Sequence, residues 1–394
     1  MSKATIQVEQ EDQTSEINGV PLLDLNAQHA ALREELRVAI DRVMETQQFI
    51  LGSDVRLLEE EIAAYIGVKQ AIACASGSDA LILALQALDI GVGDEVITSP
   101  YTFFSTAGSI VRLSARPVFV DIEPATFNIN TQLIEAAITP RTKAIMPVHI
   151  FGQCAEMQII TEISTQHRLP VIEDAAQAIG AEENGKRAGS FGAVGCFSFY
   201  PTKNLGGAGD GGMLVTNDND LAERLRILRV HGGATEYHHK IVGINSRLDT
   251  LQAAILRVKL PHLDGWSDER LKRAENYQRL FASGFAGTQK IVCPVVRAGA
   301  RHIFHQYIIR VDATKRDSLI NHLKSKNIGV KIYYPIPLHL QECFHFLGYK
   351  EGDLPESERA ARETIALPIY PELTQGQQEY VVQTIRDYFA DDIL

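Results

Sequence analysis

Between residues 71 and 173 short apolar runs recur at 71–75, 95–98, 117–120, 144–148 and 171–173, each separated from the next by a longer stretch of helical spacing. The intervening helices are expected near 79–88, 103–113, 131–138 and 155–167. Successive runs this short cannot pair as hairpins when ten or more residues lie between them. They read as βαβ units, which force a mainly parallel sheet with helices on both faces. Upstream, Leu32, Leu36, Val38, Ile40 and Val43 predict an amphipathic helix across 27–44. Asp54 is expected to cap a second one ending at Gly67.

After Gly189 the pattern changes. Short runs at 194–199 and 212–216 are separated by the lysine loop, which suggests mixed strand directions here. Helices are predicted over 220–229, 249–259 and 268–281. Beyond about 291, strands at 306–311 and 329–334 mix with helices at 316–326, 356–364 and 375–389. At 394 residues the chain is too long for one typical domain. The expected division is an acidic mobile arm over 1–18, a large α/β domain over 19–265 and a smaller α+β domain over 266–394.

Net charge is −11, and no Lys/Arg cluster offsets it locally, which argues against nucleic acid as a partner. No apolar stretch is long enough to span a bilayer, and the N-terminus lacks the basic and apolar regions of a signal peptide. Five cysteines, odd in number and without a C-x-x-C pair, read as buried reduced thiols, in keeping with a cytoplasmic protein.

The chemistry gathers at Lys203, within Phe197-Ser198-Phe199-Tyr200-Pro201-Thr202-Lys203-Asn204-Leu205-Gly206. It lies five residues after Ser198 and about thirty after Glu173-Asp174-Ala175-Ala176-Gln177. A lysine able to form a Schiff base, a hydroxyl for a phosphate and a strand-end carboxylate for a pyridinium are what pyridoxal 5′-phosphate requires. Asp174 ends a predicted parallel strand, where α/β sheets place ligands, and Gln177 stands three residues on, within reach of the cofactor's phenolic oxygen. Ser76-Gly77-Ser78-Asp79 joins a strand to a helix, the geometry of an anion site, with Gly77 allowing close backbone approach and Ser78 a hydroxyl. In Tyr101-Thr102-Phe103-Phe104-Ser105-Thr106, Phe103 is the candidate to pack on the cofactor ring, with Phe104 turned to the core. His231, His238 and His239 have no metal-ligand spacing and read as loop residues, and His302 and His305 as packing residues. The glycines after Lys203 stand in the wrong order for a dinucleotide fingerprint.

These four segments in this order resemble the DegT/DnrJ/StrS family of sugar aminotransferases, from about Pro21 to the C-terminus. The resemblance implies the type I PLP-dependent transferase fold, with a large domain around a mostly parallel mixed sheet and a smaller C-terminal α+β domain. By position Lys203 matches the Schiff-base lysine, Asp174 the pyridinium partner and Phe103 the stacking aromatic, while Gly77, Ser78 and Ser198 match phosphate contacts. Gly243-Ile244-Asn245-Ser246-Arg247-Leu248 resembles a family motif whose asparagine reaches the phosphate of the opposite subunit, so Asn245 implies a homodimer with shared active sites.

The activity implied is transfer of an amino group from L-glutamate to a nucleotide-linked keto-sugar, with the cofactor alternating between its pyridoxal and pyridoxamine 5′-phosphate forms. The form of the lysine loop leans toward amination at C3 rather than C4. Arg247, Tyr333, Tyr334 and His339 are candidate contacts for the sugar or its diphosphate. Ile244 and Tyr333 depart from an aromatic and a histidine usual in the family, and so bear on substrate identity rather than reaction type. A keto-cyclitol acceptor, or a non-catalytic regulator on the same fold, are the alternatives. A dehydratase of the same superfamily would carry histidine where Lys203 stands.

Overall fold

A computed structural model describes residues 17–235, 237–285 and 290–391, so nearly all of the expected arm over 1–18 lies outside the described residues. Seven strands make the central sheet: β1 (Gln70–Cys74), β2 (Glu95–Thr98), β3 (Arg116–Phe119), β4 (Thr142–Met146), β5 (Ile172–Asp174), β6 (Val194–Ser198) and β7 (Gly212–Thr216). Their order is β3-β2-β4-β5-β6-β7-β1, with parallel bridges Ile145–Val171 and Val148–Asp174 closing the β4–β5 seam. All pairs are parallel except those of β7, which runs against both β6 and β1. The reversal follows from the short loop between β6 and β7, which has no helix to carry the chain back.

Helices α1 (Asn26–Thr46) and α2 (Ser53–Ile66) precede the sheet, and α3 (Gly77–Ala87), α4 (Ser105–Arg112) and α5 (Met157–His167) connect its parallel strands. Further helices are α6 (Asn219–Leu228), α7 (Thr250–Lys259), the long α8 (Leu263–Gly284), α9 (Ala313–Ser325), α10 (Pro355–Glu363) and α11 (Gln375–Asp391). Strand alternation divides the core into two layers. On β7, Leu214 packs with Ile72, Cys196 and Leu81 of α3. Met213 and Val215 point the other way, to Leu58 and Ile62 of α2 and Leu256 of α7. A separate core joins α8, α9 and α11 to a two-stranded antiparallel pair, β8 (Tyr307–Arg310) and β9 (Thr364–Leu367). Val20 packs into that second core and bridges Ile328. No helix among the described residues is long and apolar enough to cross a membrane.

Several local expectations give way to tertiary context. The helix expected over 131–138 is two short 3-10 turns, Thr131–Leu133 and Glu135–Ala137. Ile138 is already extended, ahead of Thr139-Pro140. Asp54 does not cap α2, which begins after Gly52. It lies buried in the first turn, gripped by Arg42 and Arg257. The strand expected over 329–334 reduces to one bridge, Lys331–Ala366. There the Tyr333 carbonyl accepts from the Tyr101 hydroxyl at 2.5 Å instead of a ladder partner. Of the cysteines, Cys74, Cys154 and Cys196 are buried, Cys293 is half-buried and Cys343 is exposed, contrary to a uniformly buried set.

Candidate active site

Successive residues of β5 face opposite ways, and both carboxylates at its end are buried. Glu173 points away from the cleft and accepts backbone N–H bonds from Gly189 (2.6 Å), Phe191 (2.7 Å) and Gly192 (2.6 Å). It also accepts from His149 Nε2 at 2.9 Å. The Ala155 N–H donates to His149 Nδ1 at 3.1 Å, which fixes the proton on Nε2. Glu173 thus clamps the strand end to the turn that leads into β6.

Asp174 points into the cleft. Its Oδ2 accepts from the Thr106 hydroxyl at 2.7 Å and its Oδ1 from the Ala176 N–H at 3.3 Å. Burial pushes its carboxyl above the ordinary range, opposed by the Thr106 donor, the Ala176 N–H and the charge of Lys203.

The lysine loop is drawn tight between β6 and β7. The Lys203 N–H donates to the Tyr200 carbonyl and the Gly207 N–H to that of Phe199, both at 2.8 Å. A Cβ on Gly206 would sit 2.3 Å from the Pro201 carbonyl oxygen, so only glycine fits the turn. The next residue, Asn204, is buried. It donates to the Ile303 carbonyl (3.2 Å) and accepts from His305 Nδ1 (3.1 Å). Desolvation lowers the Lys203 ammonium to about 8, against the upward pull of Asp174. Among the described residues its side chain makes no hydrogen bond or ion pair. His302 and His305 are buried, and His302 stacks on Phe304 at 3.9 Å, as packing residues should.

Above this pair the N-terminus of α3 forms a cradle. Ser76 caps the helix, accepting from the Asp79 N–H at 3.1 Å. The N–H groups of Gly77 and Ser78 have no acceptor among the described residues. The Ser78 hydroxyl meets that of Ser105 at 2.6 Å, and Ser198 faces the space beside Gly77. Asp79 in turn accepts from the Ser246 hydroxyl at 2.7 Å, and that hydroxyl also accepts from the Ala75 N–H. Ser246 therefore pins the 245–247 segment beside the cradle. Asn245 is exposed, and Arg247 is half-buried with no hydrogen bond or ion pair among the described residues.

The aromatic residues are distributed otherwise than expected. Phe103 stands exposed at the mouth, 6.5 Å from the Tyr334 ring. Phe104 is not turned to the core: it is 47% exposed and stacks on Phe344 at 5.4 Å. Gln177 is engaged at both ends, accepting from the Phe151 N–H and donating to the Tyr334 hydroxyl, each at 2.8 Å. Tyr333 and Tyr334 line this side, half-buried. His339 does not. It is fully buried and bonds Glu358 at 3.1 Å, so it is a packing residue of this chain rather than a cleft contact.

Thr106, Ser105, Ser246 and the Glu173–His149 pair were not singled out from the sequence. Ser105 and Thr106 lie inside the same Tyr101–Thr106 segment as the candidate ring residue Phe103. Small hydroxyls at a helix start were the available signal.

The donor set fits pyridoxal 5′-phosphate. Two unpaired N–H groups at a helix N-terminus with serine hydroxyls beside them suit a dianion. A buried carboxylate suits a pyridinium, and a desolvated lysine suits an aldehyde.

Comparison with known proteins agrees. A model of the DegT/DnrJ/EryC1/StrS aminotransferase family matches residues 30–386. A Geobacillus stearothermophilus protein called a pleiotropic regulatory protein is 53% identical over 370 residues, covering 94% of this chain and 98% of that one. A UDP-N-acetyl-3-dehydro-alpha-D-glucosamine 3-aminotransferase from Acidithiobacillus ferrooxidans is 46% identical over 367 residues, covering 93% and 97%. The crystal structure of ntdA from Bacillus subtilis, with bound cofactor PMP, matches with a TM-score of 0.89 at 30% identity, covering 98% of this chain and 90% of that one. With its sheet order, its lysine loop and these relatives in agreement, the chain belongs to the DegT/DnrJ/EryC1/StrS family of sugar aminotransferases and has their type I PLP-dependent fold.

Proposed function

We propose that the protein transfers an amino group from L-glutamate to the C3 ketone of a nucleotide-linked sugar, alternating between pyridoxal and pyridoxamine phosphate, as a homodimer with shared sites. The observation that carries this is the placement of Lys203, without a hydrogen bond or ion pair among the described residues, on the loop following the strand beside buried Asp174, where desolvation lowers its ammonium to about 8. An amine titrating this close to neutrality both takes and returns a proton, which is what a reversible proton transfer at the amino-bearing carbon needs. When bound, the cofactor supplies an aldehyde for Lys203 and an electron sink for that transfer.

Within this reading Asp174 holds a proton on the pyridine nitrogen, and Gly77, Ser78 and Ser198 bind the phosphate. Phe103 covers the ring, and Gln177 orients Tyr334 at its edge. Asn245 completes the phosphate site of the partner subunit. Arg247, with no anion of its own, takes a diphosphate or carboxylate oxygen of the substrate, beside Tyr333 and Tyr334. Amination at C3 is supported by the form of the lysine loop and by the 3-aminotransferase named among the relatives.

A regulatory reading is favoured by the name of one relative. It leaves the low lysine and the buried aspartate without a task. Purified protein with bound cofactor separates the two: L-glutamate should bleach its visible absorbance, and a nucleotide-linked 3-keto-sugar should restore it. Faster restoration by a 4-keto-sugar would overturn the C3 assignment, and no response to any amino donor would overturn the enzyme.

A further inference from the structure

We infer that Thr106, backed by Thr102, is a positioning residue that keeps Asp174 in its ionised form. This deepens the proposed function and rests on its assignment of Asp174 to the pyridine nitrogen.

The two threonines lie four residues apart, Thr106 in the first turn of α4 and Thr102 in the segment leading into it, and both are buried. A hydroxyl has one proton. Thr106 spends its own on Asp174 Oδ2 at 2.7 Å. The 3.0 Å contact between the two threonine hydroxyls is therefore a donation from Thr102 to Thr106. Two donors in series polarise one another, so the hydroxyl at Asp174 is a stronger donor than an isolated threonine. The first turn of a helix adds its positive end, and Thr106 lies in that turn.

Asp174 needs this support because burial favours its neutral form. Few groups oppose that burial. Lys203 approaches from the lysine loop, and Ala176 contributes one longer N–H bond at 3.3 Å, while His149, beyond β4, is neutral and gives its one N–H to Glu173. Tyr334 and Cys196 also face the carboxylate and are disfavoured as anions by it. Lys203 is a cation only while it keeps its proton, and burial works against that, so its help is conditional. The threonine pair is uncharged and stays. A proton shared by carboxylate and pyridine sits on the nitrogen only while the carboxylate is the weaker base. Thr106 sets that order.

The test uses the full-length enzyme reconstituted with pyridoxal phosphate labelled with ¹⁵N in the ring. It reads the ¹⁵N chemical shift and the cofactor Kd. Asp174→Asn controls for the underlying reading: if it keeps the wild-type pyridinium shift, Asp174 was wrongly assigned. With that control behaving, Thr106→Val should move the shift toward neutral pyridine and weaken cofactor binding about ten- to a hundredfold, as loss of a hydrogen bond to a charged group does. Thr106→Ser should recover both. Thr102→Val should shift the signal the same way by a smaller amount, and it decides the matter alone if Thr106→Val does not fold. An unchanged shift in the valine variants would overturn the inference. So would a serine variant as impaired as the valine one, since packing rather than the hydroxyl would then be responsible.

Discussion

Gly77 and Ser198 sit so close that a Cβ on the glycine would fall 2.6 Å from the serine Cβ. One residue opens α3 and the other closes β6, with β7 between their strands. Gly212 of β7 pairs with both Cys74 and Ser198, and a Cβ there would meet the Ser76 carbonyl at 2.4 Å. Three chain segments therefore converge because two of them lack side chains. Their convergence brings a helix N-terminus and a serine hydroxyl to one point.

Gly77→Ala should narrow that point. Alanine gains about 1 kcal/mol of helix propensity over glycine, but overpacking costs about 1–3 kcal/mol, and Ser198 is held by its strand. Net destabilisation of about 1 kcal/mol by urea denaturation, with at least about tenfold weaker pyridoxal phosphate binding, is expected. Adding Ser198→Gly should restore stability without restoring affinity.

Lys203→Met should abolish turnover, since positioned proton transfer alone is worth about 10²–10⁴-fold. It should also stabilise the cofactor-free protein. The folded Lys203 titrates near 8 and its unfolded counterpart near 10.5, so the unfolded state binds more protons between those values. Wild-type stability from this group rises with pH through that window, and its cost is fully present below about pH 8. The Tm advantage of the methionine variant should be greatest at pH 6.5 and shrink toward pH 10. Calorimetry across that range measures it, and a constant difference would refute it.

Glu173→Ala strips the acceptor from three backbone N–H groups, that of Gly189 buried, and from His149. Losing one side of such a network costs roughly 3–5 kcal/mol. Denaturant midpoints should fall accordingly, with Glu173→Gln losing less because its amide oxygen still accepts. The effect should appear in the cofactor-free protein, marking Glu173 as structural, in contrast to the role proposed for Asp174.

The proposed homodimer with shared sites predicts complementation. Lys203→Ala and Asn245→Ala proteins should each be inactive, and mixing them after mild denaturation should restore about a quarter of wild-type turnover. Half of the re-formed dimers would then be mixed, each with one site free of both lesions. No recovery would mean that Asn245 serves its own subunit.

Much of this site was legible because its parts are local. Strand-helix alternation dictates a parallel sheet, and Asp174, Lys203 and the Gly77-Ser78 turn follow from what strand ends and helix starts offer a ligand. Mixed strand directions around the lysine loop were expected, and the reversal falls at β7. What could not be read were contacts between distant segments. Thr106 bonds Asp174 across 68 residues and Ser246 bonds Asp79 across 167. His339 is buried against Glu358 although its motif looked like a cleft edge. Phe104 lies at the surface because Phe344 is there to stack on.

The sequence by itself therefore determined the sheet, the lysine, the carboxylate and the family, since periodicity and short motifs act within a few residues. Only the tertiary structure decided which hydroxyls support the carboxylate, which aromatics reach the mouth and which histidine is sealed away. Those outcomes depend on burial and on hydrogen-bond partners that meet only after the sheet has formed.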